Sequence, residues 1–473
     1  MHAVEDFFTD DVLHDECGVV AIYAPTLDVS RLAYFALHAL QHRGQESAGI
    51  AVADGDRLTV VREMGLVSAV FDESALRSLT GHAAIGHVRY STTGSNRWEN
   101  AQPVALARGR DLIALGHNGN LTNSDILRSE LADAGEQLLA TTDSEAIAAM
   151  IARAPGSLFR AAGDVMQHLV GAYSAVVIGP GEVVAFRDPH GVRPLVLGRL
   201  DDGWCVASET CALDQIGATF ERDVRPGEVV RLGPKGVESR QAVAPASRQM
   251  CVFEHIYFAR PDSTIEGVSI WQARSRMGAE LARRAPVEAD LVVGLPDSGT
   301  PAAIGYSTES GIPYAEAVVR NRYVGRSFIQ PDQHLRQQGV KLKFNPLRHV
   351  IDGKRLVVID DSIVRGNTVH QVVKMLFDAG AAEVHLRISS PPVMWPCFYG
   401  IDMPNRAELI AATSTIQEIA DMSGATSLSY LTLDDVHRAI GKPASGFCGA
   451  CFTGDYPIPI PDASVKLRFE PAR

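Results

Sequence analysis

Arg355-Leu356-Val357-Val358-Ile359-Asp360-Asp361-Ser362-Ile363-Val364-Arg365-Gly366-Asn367-Thr368 passes from an apolar run through two acids into a short loop and a helix start. Residues 356–359 form the kind of run that is buried on both faces of a sheet. Residues 291–295 and 384–388 read the same way, and helical patterning, notably over 368–379, separates the runs. That rhythm predicts a parallel α/β sheet for the second half of the chain. Such sheets bind ligands outside the carboxyl ends of their strands, which is where Asp360 and Asp361 stand. Ser362 to Thr368 can turn N–H groups and hydroxyls toward a phosphate at a helix N-terminus. The two acids suit ribose hydroxyls or a Mg²⁺, a hard cation that takes oxygen ligands. The plain alternative is that they only cap the helix.

The first half has a different texture. Gly18–Tyr23 and residues 49–52, 58–62, 112–115, 173–178 and 183–186 are short strand-like runs with turn residues between them. Helical spacing appears over 30–41, where Leu32, Phe35, Ala36, Ala39 and Leu40 share a face, and over 143–154, with Asp143 or Ser144 near the N-cap. The polar stretch 241–249, with Pro245, marks the boundary, so the domains are expected at 17–246 and 247–473.

Length and charge bound the rest. A chain of 473 residues can bury two or three cores. A net charge of −12 argues against a nonspecific grip on nucleic acid, which needs a basic face. No apolar run approaches the roughly 20 residues that span a bilayer. Residues 1–16 carry six acidic side chains and no Lys or Arg, unlike a secretory leader, so the cytoplasm is the expected location. Seven cysteines in that compartment are not expected to form a disulfide framework.

Cys17 stands in Asp15-Glu16-Cys17-Gly18-Val19-Val20, at the head of a strand, where a lone cysteine is ordinarily a small buried hydrophobe. It is followed by His42-Arg43-Gly44-Gln45-Glu46-Ser47-Ala48-Gly49, Gly86-His87-Val88-Arg89-Tyr90-Ser91-Thr92, His117-Asn118-Gly119-Asn120 and Thr142-Asp143-Ser144-Glu145. In that order the series resembles the N-terminal-nucleophile (Ntn) class II glutamine amidotransferases, across roughly residues 17–240. The resemblance implies an α+β Ntn hydrolase domain with Cys17 as nucleophile and its own α-amine as base. An α-amine titrates near ~7.7–8.0, which suits proton transfer at neutral pH. Cys17 must then be residue one, so residues 1–16 are expected to be a propeptide. By the same resemblance Arg89 clamps the glutamine carboxylate, Asp143 accepts from its ammonium, and Arg43 sits on a loop closing over it. Asn118, through its side-chain amide, and Gly119, through its N–H, form the oxyanion hole; read alone, the pair could be a hairpin turn.

The Asp360–Asp361 loop resembles that of the type I phosphoribosyltransferases, over roughly residues 251–455. This implies that residues Asp360 to Thr368 bind phosphoribosyl pyrophosphate and that Asp360, Asp361 and Ser298 lie near Mg²⁺. Leu295-Pro296-Asp297-Ser298-Gly299-Thr300 looks like the pyrophosphate-side loop, and residues 320–330 like a lid. Asn367 departs from the family pattern, which usually has Thr there, but keeps a polar side chain and the backbone donor. Tyr257, Phe328 and Ile329 are candidates either for an ammonia path or for core packing.

Cys448-Gly449-Ala450-Cys451 alone could hold zinc, an iron–sulfur cluster or nothing. With Cys251 and Cys397 the set resembles the amidophosphoribosyltransferases that carry a [4Fe–4S] cluster, and zinc is the second choice. Cys205 and Cys211 match nothing and read as packing. The two halves together resemble that family. The resemblance implies glutamine and phosphoribosyl pyrophosphate as substrates, purine nucleotides as feedback inhibitors, and a homo-oligomer, dimer or tetramer. A glucosamine-6-phosphate synthase shares the first half but has no use for residues 360–368. A salvage phosphoribosyltransferase shares the second half but would not need Cys17, Arg89 or Asn118-Gly119, and against a catalytically silent binder of phosphoribosyl pyrophosphate stands the presence of every polar group the chemistry requires.

Overall fold

The computed structural model describes residues 17–90, 96–321, 344–403 and 405–460. Among these, the first half contains a seven-stranded and a six-stranded sheet. Gly18–Tyr23 lies inside the first, antiparallel to both Gly203–Ala207 and Ala83–Arg89. Asp111–Leu121 lies inside the second, antiparallel to Gly171–Gly179. Side chains alternate along a strand, so Val19 and Ala21 face one way and Val20 and Ile22 the other. Val19, Ala21 and Ile85 meet Ala114, Val176 and Ala185 in one apolar layer between the sheets. Val20 and Ile22 instead pack under the helix Val29–Ala39, whose first turn is capped by the Asp28 carboxylate. Helices Asp143–Arg153 and Leu158–Val165 cover the outer face of the second sheet. The result is four layers, and it explains why strands such as Gly18–Tyr23 are apolar throughout: both of their faces are buried.

The second half holds a parallel sheet in the order Leu291–Gly294, Arg355–Asp360, Glu383–Ile388, Ser427–Tyr430. The first three follow the expected apolar runs within a residue at each end. The fourth, Ser-Leu-Ser-Tyr, is an edge strand with too little apolar content to be read in advance. Helix Asn367–Asp378 follows the central strand, as the opening stretch predicts.

The strand Gly236–Gln241 ends the first half, and Met250–Cys251 opens the second by pairing parallel with Phe447–Cys448. The halves nonetheless share packing, because Ala172 and Val192 join the core of the second. No helix among the described residues is long and apolar enough to cross a membrane. The proposed propeptide, Ser91 and Thr92, and the lid residues 322–330 with Phe328 and Ile329 lie outside the described residues.

Candidate active site

Cys17 heads the strand Gly18–Tyr23 and is buried, its thiol donating to the Tyr90 carbonyl at 3.4 Å. Burial pushes that thiol up to about 11, against the opposing pull of the Tyr90 contact and of Arg89. Cys17, Arg89, Gly119 and Asp143 all line one cavity of about 10 Å³, which is room for roughly one water. Cys17 and three of the four motifs that follow it therefore converge on one small cavity.

Asn118 and Gly119 are not in a hairpin turn. Both lie within the strand Asp111–Leu121, paired with Ser174 and Tyr173. Asn118 is fully buried, and neither polar atom of its side chain has a hydrogen-bond partner. A buried amide left open in this way is costly unless something else fills it. Gly119 has φ of 139°, and a Cβ there would lie 2.0 Å from the Ala172 carbonyl oxygen. Only glycine fits at this backbone conformation.

Asp143 starts the helix Asp143–Arg153 and accepts the Leu121 N–H at 2.8 Å, with His117 Nδ1 at 3.6 Å. Burial pushes its carboxyl up. His117 and the Leu121 and Ser144 donors outweigh that and hold it below the usual carboxylate range, so it is charged at neutral pH. Arg89 is buried with Glu46 at 3.5 Å. Sequence reasoning missed the support beneath these groups. Gln102 accepts the His117 N–H at 2.8 Å and donates to Ser144 Oγ at 3.0 Å, while His117 Nδ1 lies 3.2 Å from the same hydroxyl. The signal was adjacency, since His117 and Ser144 flank Asn118 and Asp143 in the quoted motifs.

Arg43, expected on a loop over glutamine, lies in the turn after the helix Val29–Ala39, 1% exposed and bound to two carboxylates, Glu209 and Glu254, the latter at 2.6 Å from Nη2. Its guanidinium joins a buried network that ties the two halves together.

In the second half, Asp360 ends the central strand and its Oδ1 accepts the Asp361 N–H at 2.9 Å. Asp361 is buried and accepts the Ser362 hydroxyl at 2.7 Å, with the Ser298 hydroxyl also bonded to it. Burial raises its carboxyl above the usual range, against those two hydroxyls and the nearby Arg274. Ile363 and Val364 are buried anchors in the two flanking cores, so they can offer a ligand only backbone. Gly366, at φ of 88°, turns the chain into the helix beginning Asn367-Thr368, while Arg365 pairs with Glu408 at 3.1 Å. Asp297 pairs with Arg320 at 3.0 Å. The loop is thus a strand end, a turn and a helix N-terminus, as the sequence suggested. Tyr257 packs edge-on against Phe258 at 5.4 Å.

Cys251, Cys397, Cys448 and Cys451 are brought together, and none forms a disulfide. Cys251 is the register partner of Cys448, and the charge of each neighbour is felt at Cys251 and Cys451. The Tyr399 N–H donates to Cys397 Sγ at 3.4 Å. Among the described residues no trio of His, Cys, Asp or Glu closes around a single ion. Cys205 and Cys211 are buried elsewhere, in the core under Val29–Ala39.

Residues 87–215 match the family model of the glutamine amidotransferase domain, and residues 270–389 that of the phosphoribosyl transferase domain. The amidophosphoribosyltransferase of Mycobacterium tuberculosis is 52% identical over 461 residues, covering 94% of this chain and 87% of that protein. That of Synechococcus elongatus is 52% identical over 455 residues, covering 95% and 92%. A solved structure of the allosteric regulatory enzyme of purine biosynthesis superposes with a TM-score of 0.91 at 43% identity, covering 96% and 99%. The glutamine phosphoribosylpyrophosphate amidotransferase of B. subtilis, complexed with ADP and GMP, gives 0.90 at 43% identity, covering 95% and 99%. The chain belongs to the amidophosphoribosyltransferase family.

Proposed function

We propose that this chain hydrolyses glutamine at Cys17 and uses the ammonia to displace pyrophosphate from phosphoribosyl pyrophosphate. The products are phosphoribosylamine, glutamate and pyrophosphate, the first step of de novo purine synthesis. One observation carries the reading: a single chain joins the Cys17 cleft to a strand-end loop of the phosphoribosyl type. The parallel sheet around Asp360–Asp361 gives the glucosamine-6-phosphate synthase alternative no support.

In this mechanism the Cys17 thiolate attacks the glutamine side-chain amide, and Arg89 and Asp143 hold the two ends of the amino acid. The orphaned Asn118 amide and the Gly119 N–H receive the developing oxyanion. A thiol near 11 is a poor nucleophile at neutral pH, which supports removal of residues 1–16 to free a basic α-amine on Cys17. Asp360 and Asp361 meet the ribose hydroxyls, and the helix beginning at Asn367 meets the 5′-phosphate. The acids with Ser298 suit Mg²⁺, which would neutralise charge on the departing pyrophosphate.

Three buried thiols and the half-buried Cys397, which already accepts a backbone N–H, suit a [4Fe–4S] cluster. A cubane seats its thiolates on four separate irons, whereas a single zinc would gather all four around itself. It would staple residues 251, 397 and 448–451. The ADP and GMP in the B. subtilis relative support purine nucleotides as feedback inhibitors.

The test is glutamine-dependent pyrophosphate release by protein whose N-terminus has been read. Cys17→Ala is expected to lose that activity and keep release driven by ammonium salts. Loss of both would sink the two-site reading.

A further inference from the structure

The strand bearing Asn118 and Gly119 is not held by its own half alone. Gly400, at φ of 106°, presses on it from the second half: a Cβ there would lie 2.8 Å from both Cα and C of Gly119. Two glycine backbones are thus in direct contact, with no side chain to cushion them. One residue on, Asn120 Nδ2 donates to the Phe398 carbonyl at 2.9 Å. The third tie runs through Asn118's register partner. Ser174 Oγ donates to the Arg193 carbonyl at 3.2 Å, and the buried Arg193 donates through Nε to the Tyr399 carbonyl at 2.9 Å.

The turn that makes these contacts is itself fixed. The Tyr399 hydroxyl donates to the Ile458 carbonyl at 2.6 Å and accepts the Ile458 N–H at 3.0 Å, and the Tyr399 N–H reaches Cys397 Sγ. Contacts from residues 398, 399 and 400 therefore bear on 120, on the partner of 118, and on 119. Ordinary packing between halves does not need to converge on the oxyanion donors.

We propose that the turn Phe398-Tyr399-Gly400 is a positioning element for the oxyanion hole, holding the Gly119 N–H in its working direction from the opposite half of the chain. The proposal rests on Cys17 being the glutaminase nucleophile. A donor that drifts by a fraction of an ångström loses transition-state stabilisation without losing substrate binding. Glutamine hydrolysis would then depend on the docking of the two halves, while phosphoribosyl transfer from free ammonia would not.

Gly400→Ala in the full-length protein tests this. A fall of about tenfold or more in kcat for glutamine is expected, since removing an oxyanion donor outright costs about 10²–10³ and a displaced one costs less. KM for glutamine and the ammonia-driven rate should stay within about threefold. Two probes separate positioning from general damage. Iodoacetamide alkylates Cys17 by displacing iodide and needs no oxyanion, so its rate should hold. Glutamate γ-aldehyde adds to the thiol to form an oxyanion, so its affinity should fall in proportion to kcat. Asn120→Ala, which removes the Phe398 tie, carries the same readouts if Gly400→Ala does not fold. An unchanged kcat, equal losses with glutamine and ammonia, or intact aldehyde affinity would overturn the proposal. A wild-type protein with no glutaminase activity would instead overturn the assignment of Cys17.

Discussion

Arg43 Nη2 and Glu254 Oε2 lie 2.6 Å apart in a buried ion pair that crosses from the first half of the chain to the second. Glu209 takes the other side of the same guanidinium and is also held by His42, by the Ser263 hydroxyl and by the Arg260 N–H. Breaking such a pair from one side strands a charge in a dry interior, which costs about 3–5 kcal/mol. Arg43→Met should therefore lower the unfolding midpoint in denaturant sharply, and adding Glu254→Gln should recover part of the loss. A single variant as stable as the parent would contradict the network.

The same network fixes an acid limb. Burial pushes Glu209 up, but Arg43 and His42 overcome it and hold the carboxyl well below its usual value. A depressed carboxylate contributes stability above its unfolded value of about 4.3 and loses it as pH falls toward the folded value. Unfolding midpoints measured from pH 6 downward should fall below about pH 4.5, and the fall should be shallower in Arg43→Met. Parallel curves would show that other acids control the limb.

Cys17 should change its titration when residues 1–16 leave. While Cys17 is joined to Glu16, a thiol near 11 is ionised to about one part in ten thousand at pH 7. Alkylation should be slow there and climb with pH throughout the neutral range. Once cleavage exposes the α-amine, the rate should level near ~8, where that amine titrates. Mass spectrometry of alkylated protein before and after processing measures both curves; identical profiles would remove the need for a propeptide.

How far these sites were legible depends on what kind of signal each residue leaves. Asp360, Asp361 and the glycine at 366 follow an apolar run in sequence, so strand, turn and helix start are all local and readable. Gly119 was readable as a donor but not as a strand residue, because an Asn-Gly pair is locally compatible with a hairpin turn. Its position is decided by pairing with Tyr173, more than fifty residues away. The setting of Arg43 was hidden for the same reason. Its neighbours in sequence belong to the glutamine motif, but its charge is answered by Glu209 and Glu254, which only the packed halves bring near. Ser427–Tyr430 went unread because an edge strand needs less apolar content than the strands it borders.

Asn118 and Asp143 should separate kinetically. The Asn118 amide has no hydrogen-bond partner among the described residues and is proposed to meet the oxyanion, so Asn118→Leu should cut kcat for glutamine by about 10²–10³ with little change in KM. Asp143 is charged at neutral pH and is assigned to the substrate ammonium, so Asp143→Asn should chiefly raise KM. Steady-state kinetics on both variants decide this, and a reversed pattern would exchange the two roles.

The four-thiol knot makes the last prediction. Cys251, Cys397, Cys448 and Cys451 come from three separated segments, and none has a disulfide partner. Burial pushes Cys251 and Cys448 up to about 12, so without a metal these segments would meet through neutral thiols alone. A cluster would replace weak packing with covalent ties between residue 251, the turn at 397 and the tail at 448–451. Protein purified without oxygen should contain about four irons and four sulfides per chain and show broad visible absorbance. Removing the iron with a chelator should lower the thermal midpoint of the second half. Cys451→Ser should abolish the colour and reproduce that loss. One colourless zinc per chain would replace the cluster with the simpler site, and no metal at all would leave the knot as packing.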